Sequence, residues 1–163
     1  GRETSYLGTG SDNSGQLRIY DKQGETRSYL GDGYLQAYNQ FGERTIFLGT
    51  GTNGGGYLRT YNFSGQESIY VGTGADSSGQ IRIYDNTGET GSFLGSGYFR
   101  TYNRFGKMTT FIGNATDGGG YLRTNNKFET ETAFLGTNNA NEGLINLNDK
   151  FGQSFWIRLN KKN

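Results

Sequence analysis

Arg18, Arg59, Arg82 and Arg100 each stand two residues before a tyrosine, giving the pairs Arg18 with Tyr20, Arg59 with Tyr61, Arg82 with Tyr84 and Arg100 with Tyr102. A guanidinium forks onto anions or stacks flat on a ring, and a phenol offers an apolar face with a polar tip. Repeated at even spacing, such pairs can hold a repeating ligand. A second aromatic set falls where turns are expected, at Phe41, Phe63, Phe105, Phe128 and Phe151, and the only tryptophan is Trp156. Turn geometry prefers small polar residues and does not ask for a ring, so a row of rings can serve as stacking platforms for sugars. Phe41, Phe105, Phe151 and Trp156 therefore join the Arg and Tyr pairs as candidate binding residues. The plainer account is structural: the Arg and Tyr columns form a cross-strand ladder, and each turn ring packs on a neighbouring strand or subunit.

Catalysis finds little to work with. The chain has no His and no Cys, which removes the commonest general base, thiolate nucleophiles and Cys-ligated zinc. Gly49-Thr50-Gly51-Thr52-Asn53-Gly54 spells a GxGxxG string, but a dinucleotide site needs a helix after it, and Gly55-Gly56-Tyr57-Leu58 begins a strand. The loops at Asp12-Asn13-Ser14-Gly15, Asp76-Ser77-Ser78-Gly79 and Asp117-Gly118 offer oxygens to calcium without completing a calcium-loop pattern. Acidic residues recur with the turns, whereas a catalytic carboxylate would be expected once. The expectation is a protein that is not an enzyme, with no cofactor and no metal site.

The elements that position these residues are set by an internal repeat. An aliphatic residue followed by Gly recurs at Leu7, Leu30, Leu48, Val71, Leu94, Ile112 and Leu135, at spacings of 23, 18, 23, 23, 18 and 23, a super-repeat of 64 residues. Asp or Asn with Gly three residues later recurs at Asp21, Asn39, Asn62, Asp85, Asn103 and Asp149, while Asn126 has Glu129 in the glycine's place. That is a type I turn closing a hairpin with a glycine bulge. The opposite junction varies by five residues between Gly31-Asp32-Gly33 and the longer Gly8 to Gly15 form, which marks an exposed loop.

Between turns the residues alternate with period two. One face collects Leu17, Leu35, Leu58, Ile81, Phe99, Leu122 and Ile145, then the smaller Ile19, Ala37, Thr60, Ile83, Thr101 and Thr124; the other collects the Arg column beside the tyrosines. The fold expected is all-β, a single tandem-repeat domain over residues 1–163. Residues 137–163 form an atypical last repeat, either a cap or a contacting tip, because Asn146 and Asn148 replace Arg and Tyr. Leu, Ile, Val and Phe make up only about a fifth of the chain, near the level at which composition suggests disorder. Twelve Tyr and a net charge of +1 argue for folding instead, with a thin core that implies an elongated body or burial shared among subunits. The near-neutral charge disfavours nucleic acid, and no apolar run suits membrane insertion.

Units such as residues 56–72, Gly-Tyr-Leu-Arg-Thr-Tyr-Asn-Phe-Ser-Gly-Gln-Glu-Ser-Ile-Tyr-Val-Gly, are similar to the Gly-punctuated repeats in stalks of bacteriophage tail fibres and related bacterial surface fibres. The resemblance is one of rhythm and composition and covers almost the whole chain. It implies a homotrimeric, intertwined β-fibre outside the cell or on a virion, a structural or attachment segment of a fibre or adhesin. A rival resemblance, to the aromatic hairpin repeats of choline-binding and clostridial toxin domains, implies a single-chain β-hairpin solenoid: a monomeric repeat lectin for cell-surface carbohydrate. Those repeats are rich in Trp, and this chain has one.

Overall fold

The structure is a computed structural model that describes residues 1–163 apart from 53, 117, 139 and 160–163, with side chains described through Phe155. Every regular element among the described residues is a strand, and the chain divides into two compact units, Gly1–Gly88 and Glu89–Asn163. The first holds β1 (Ser5–Thr9), β2 (Gly15–Tyr20), β3 (Thr26–Gly31), β4 (Tyr34–Tyr38), β5 (Arg44–Thr50), β6 (Gly56–Tyr61), β7 (Glu67–Thr73) and β8 (Gly79–Tyr84). The second holds β9 (Thr90–Gly95), β10 (Tyr98–Tyr102), β11 (Met108–Asn114), β12 (Gly120–Asn125), β13 (Glu131–Thr137), β14 (Gly143–Asn148) and β15 (Ser154–Leu159). Within each unit every strand pairs antiparallel with the next in sequence. The all-β meander of repeated hairpins expected from the turn spacing is what forms.

Two kinds of junction alternate. At one rim of each unit, β2, β4, β6, β10, β12 and β14 end in a bulge and a turn: Gly24, Gly42, Gly65, Gly106 and Gly152 take φ between 72 and 92°, which glycine adopts without a steric penalty. The Asp or Asn that opens each turn closes it with its own side chain; Asn39 Oδ1 accepts from the N–H of Phe41 at 2.9 Å and of Glu43 at 3.0 Å. At the other rim the short junctions are two-residue turns with both central residues at positive φ, Asp32 (50°) with Gly33 (77°) and Ser96 (50°) with Gly97 (81°). That conformation matches the right-handed twist of a hairpin. The longer junctions fold back on themselves, with Asp12 Oδ1 accepting from the N–H and the hydroxyl of Ser14.

Strands touch only their strand neighbours, so each unit is a sheet one layer thick, and Phe111, 5% exposed, is the only buried apolar residue among those described. Among the described residues the aliphatic face stays uncovered. The packing that does form lies across the strands. The glycine after the aliphatic residue points to the polar face, and at Gly8, Gly31, Gly49, Gly72 and Gly136 a ring from the same strand lies over it. A methyl on Gly31 would meet the Tyr29 hydroxyl at 2.5 Å, and one on Gly49 the Phe47 ring at 2.8 Å. The cross-strand tyrosine closes the same space: a methyl on Gly72 would come within 2.5 Å of Tyr57 Cβ, and on Gly136 within 2.6 Å of Tyr121 Cβ. The repeated aliphatic-Gly signature is therefore a packing device, in which the missing side chain lets rings cover bare backbone.

The last repeat keeps the strand pattern but changes its chemistry. Asn146 Nδ2 donates to Asn148 Oδ1 at 3.0 Å, and Asn148 Nδ2 donates to Glu131 O at 3.3 Å, so amides take the place of ring and guanidinium.

The ring-over-glycine packing separates two kinds of glycine. At Gly113 an added methyl would meet Tyr98 Cβ at 2.5 Å and the carbonyl of Gly97 at 3.0 Å, whereas at Gly8 it meets only the tip of the Tyr6 ring. Gly113→Ala is expected to lose about 1–3 kcal/mol, an overpacking cost, and Gly8→Ala clearly less, because a ring tip can swing away. Denaturant unfolding of the two variants checks this; equal losses would mean that the backbone contact is not what excludes the methyl.

Candidate functional site

Three surfaces gather the residues singled out by sequence. On the polar face, Tyr6, Arg18, Tyr29, Gln36, Phe47, Arg59, Tyr70 and Arg82 stand opposite one another across β1 to β8. Phe93, Arg100, Phe111, Arg123, Phe134 and Asn146 do so across β9 to β14. Odd strands supply rings, while β2, β6, β8, β10 and β12 supply cations and β4 and β14 the amides Gln36 and Asn146. Between them sit the tyrosines opposite the glycines, and the rings form a stack: Tyr29, Tyr34, Phe47, Tyr57 and Tyr70, with centroids 5.2–5.8 Å apart. In the second unit Phe93, Tyr98, Phe111, Tyr121 and Phe134 stack at 4.6–5.6 Å.

The guanidinium groups lie against this stack, Arg59 at 4.7 Å from the Tyr57 centroid, Arg100 at 4.2 Å from Tyr98 and Arg18 at 5.6 Å from Tyr29. Arg59 also pairs with Glu67 at 3.4 Å. Tyr20, Tyr61 and Tyr102 sit at the bulged ends of their strands and Tyr84 at the end of β8, all half-buried, and Arg44 covers the Tyr61 ring at 4.7 Å. The structure thus brings Arg18, Arg59 and Arg100 against rings of their own or the neighbouring strand, each such contact contributing about 0.5–1 kcal/mol, and places Arg82 opposite Tyr70 in the same ladder.

The second surface is the aliphatic face. Leu7, Leu17, Leu30, Leu35, Leu48, Leu58, Val71 and Ile81 form one unbroken column in the first unit. Leu94, Phe99, Ile112, Leu122, Leu135 and Ile145 form its equivalent in the second. Beside them runs a column of Ser, Ala, Thr and Ile that reaches Leu147; through β14 neither column holds a charged residue, and on β15 Arg158 stands in register with Ile145. Nothing among the described residues covers them: Leu48 is 51% exposed and Leu135 52%.

The third surface is the rim of Asx turns. Phe41, Phe63, Phe105, Phe128 and Phe151 all project from it, 65–87% exposed, so none is buried against a neighbouring strand of the described chain. The side chain of Trp156 lies outside the described residues. Sequence reading passed over the cations here. Arg104, Lys127 and Lys150 each immediately precede a turn phenylalanine and lie over its ring, at 4.8, 4.9 and 4.9 Å. The signal was present as a basic residue before the ring in each of the last three turns, and it vanishes when rings and cations are tallied separately.

Adjacent turns are also tied together. Arg27 bonds the Asp21 carboxylate of its own turn and the Asn39 carbonyl of the next. Glu129 takes the glycine position at φ 67° and offers its carboxylate to Lys107 Nζ at 3.0 Å and Met108 N at 3.1 Å. These two hydrogen bonds, outweighing its partial desolvation, hold the Glu129 carboxyl below the usual range. Asn126 Nδ2 donates to the Lys150 carbonyl at 3.1 Å. No group of His, Cys, Asp and Glu among the described residues could hold a metal ion. Compared with protein-family models and with curated proteins, the chain finds no match in either.

The ring stack carries a pH signature. Burial, and then a hydrogen bond shared with Tyr34 and the nearby Asp32 charge, push the Tyr29 phenol up to about 12. Unfolded, it ionises near its ordinary value of about 10. The contribution of Tyr29 to stability is therefore intact below about 10 and is lost as pH rises through about 12. Ultraviolet titration of the chain against Tyr29→Phe should show one late-ionising phenol missing from the variant, and Asp32→Asn should move that ionisation downward. A phenol titrating near its ordinary value would contradict the stack.

Proposed function

We propose that the chain is a structural segment of an extracellular or virion fibre or adhesin, in which three copies assemble with their aliphatic faces turned inward. The observation that carries this reading is the uncovered column of Leu, Ile, Val and Phe on a sheet one layer thick. Completing the burial of each half-exposed aliphatic side chain contributes about 1 kcal/mol. A continuous exposed apolar surface of this kind marks an interaction site.

A copy of the same chain is the fitting partner. Through β14 the two columns carry no charge, so a partner with a charged surface would leave ions unpaired along them, whereas a second copy offers the same uncharged stretch. The number three comes from the resemblance to trimeric fibre stalks. The cation and ring ladder then faces outward, where a half-buried guanidinium keeps access to water. A monomeric repeat lectin is the second reading, favoured by the exposed turn phenylalanines.

Light scattering coupled to size exclusion tests the assembly. The expected mass is three times the 18.0 kDa of the chain. Leu48→Glu and Ile112→Glu should each shift assembly to concentrations at least about tenfold higher, the ratio set by 1.4 kcal/mol. Both positions are exposed in the single chain, so the variants should keep its strand content. A wild-type mass of one chain sinks the reading, and a mass of two chains replaces the trimer with a face-to-face sandwich.

A further inference from the structure

The last three Asx turns combine features that the sheet itself does not require. Phe105, Phe128 and Phe151 occupy the same turn position and are 65%, 74% and 73% exposed. Each carries a cation over one ring face, from Arg104, Lys127 and Lys150, and a ring has a second face. The turn itself fixes each ring's backbone: Asn103, Asn126 and Asp149 accept from the N–H groups of the three phenylalanines at 2.9, 2.9 and 2.8 Å. Glu129 and Asn126 brace the three turns against one another. Turns at one rim of a meander recur every second strand, so the ring and cation pairs stand about 9.5 Å apart.

We propose that this rim is a binding site for an anionic polysaccharide whose charge recurs once per disaccharide. The open ring face takes the C–H face of one sugar, and the cation beside it takes the carboxylate or sulfate of the next. A β-linked disaccharide has the reach of the turn spacing, so successive repeats meet successive pairs in register. Each contact is weak and exposed; three on one chain act together because the second and third bind at the effective concentration set by the first. The bracing keeps the pairs in place before the ligand arrives, which lowers the ordering cost.

Single-stranded nucleic acid fits less well, since it needs rings close enough for neighbouring bases and a denser basic groove. In the first unit the corresponding turn residues are Lys22-Gln23, Gln40-Phe41, Phe63-Ser64 and Asn86-Thr87, none of which sets a cation before a ring. That unit is not part of the site.

The test uses the full chain with three probes, hyaluronan, chondroitin sulfate and polygalacturonate, and with neutral dextran and single-stranded DNA for comparison. Binding is expected to at least one of the three probes, to fall steeply with added salt and with fragments too short to reach three turns, and to be absent for dextran. The triple variants R104Q/K127Q/K150Q and F105A/F128A/F151A should each weaken it at least tenfold while leaving the light-scattering mass unchanged. No binding to any of the three probes overturns the proposal. So does either variant binding as wild type, dextran binding equally, or DNA binding more tightly than all three. A fall in mass on removing the rings would assign them to a subunit contact and overturn it as well. The assembly reading fails separately: a wild-type monomer that still binds these probes removes the trimer and leaves the rim.

Discussion

Within each unit the strands of this chain pair edge to edge with their neighbours in sequence, and among the described residues no strand lies above or below another. A sheet one layer thick has no interior, so the usual source of stability, side chains removed from water on all sides, is closed to it. The described residues include a single buried apolar side chain. Everything else in the architecture responds to that constraint. The backbone ladder satisfies the strands, and the side chains must find their partners in the only direction available, across the strands.

On the polar face the response is the ring stack. A flat ring covers more area per ordered side chain than an aliphatic one, because it has only two rotatable bonds to fix. Laid along the strand over a glycine, it shields backbone that would otherwise face water on a strand weakened by the missing side chain. The alternation of ring and guanidinium across strands follows from the same geometry. A cation between two rings avoids the like-charge contact that an unbroken Arg column would create, and both faces of the planar group are used. On the aliphatic face no such device exists: Leu and Ile gain only from exclusion of water, and one layer excludes half of it. This asymmetry makes the chain look incomplete by itself and gives the proposed assembly its physical motive.

The turn rim answers to a different demand. An Asx turn is complete without its ring, since the side-chain oxygen and the left-handed fourth residue close it. A ring there adds exposed apolar area to a chain already short of burial. Glu129 shows the same excess: a left-handed non-glycine residue costs about 1 kcal/mol or more, and here it is offset by the contacts to Lys107 and Met108 that lock one turn to the next. Features that cost stability locally and are not needed for folding are where a function is to be sought.

How much of this was written in the sequence depends on whether the signal was local. Strand and turn positions were legible because alternation and turn chemistry act over two to four residues, and the partition of Leu17 and Ile19 from Arg18 and Tyr20 follows from the pleat alone. The glycine after each aliphatic residue was visible as a landmark but not as a packing device, because the ring that needs it reaches along the strand and from the strand beside it. The absence of a second layer was likewise hidden: the same alternation describes a sandwich, a barrel or a lone sheet, and only the tertiary arrangement decides what, if anything, covers the apolar face. So too with Phe105, Phe128 and Phe151. The sequence by itself determined the strands, their faces and the turn rim that holds these rings. Only the tertiary structure decided that they stand free beside their cations, because that depends on which neighbours arrive in space, and the spacing of residues along a chain does not record it.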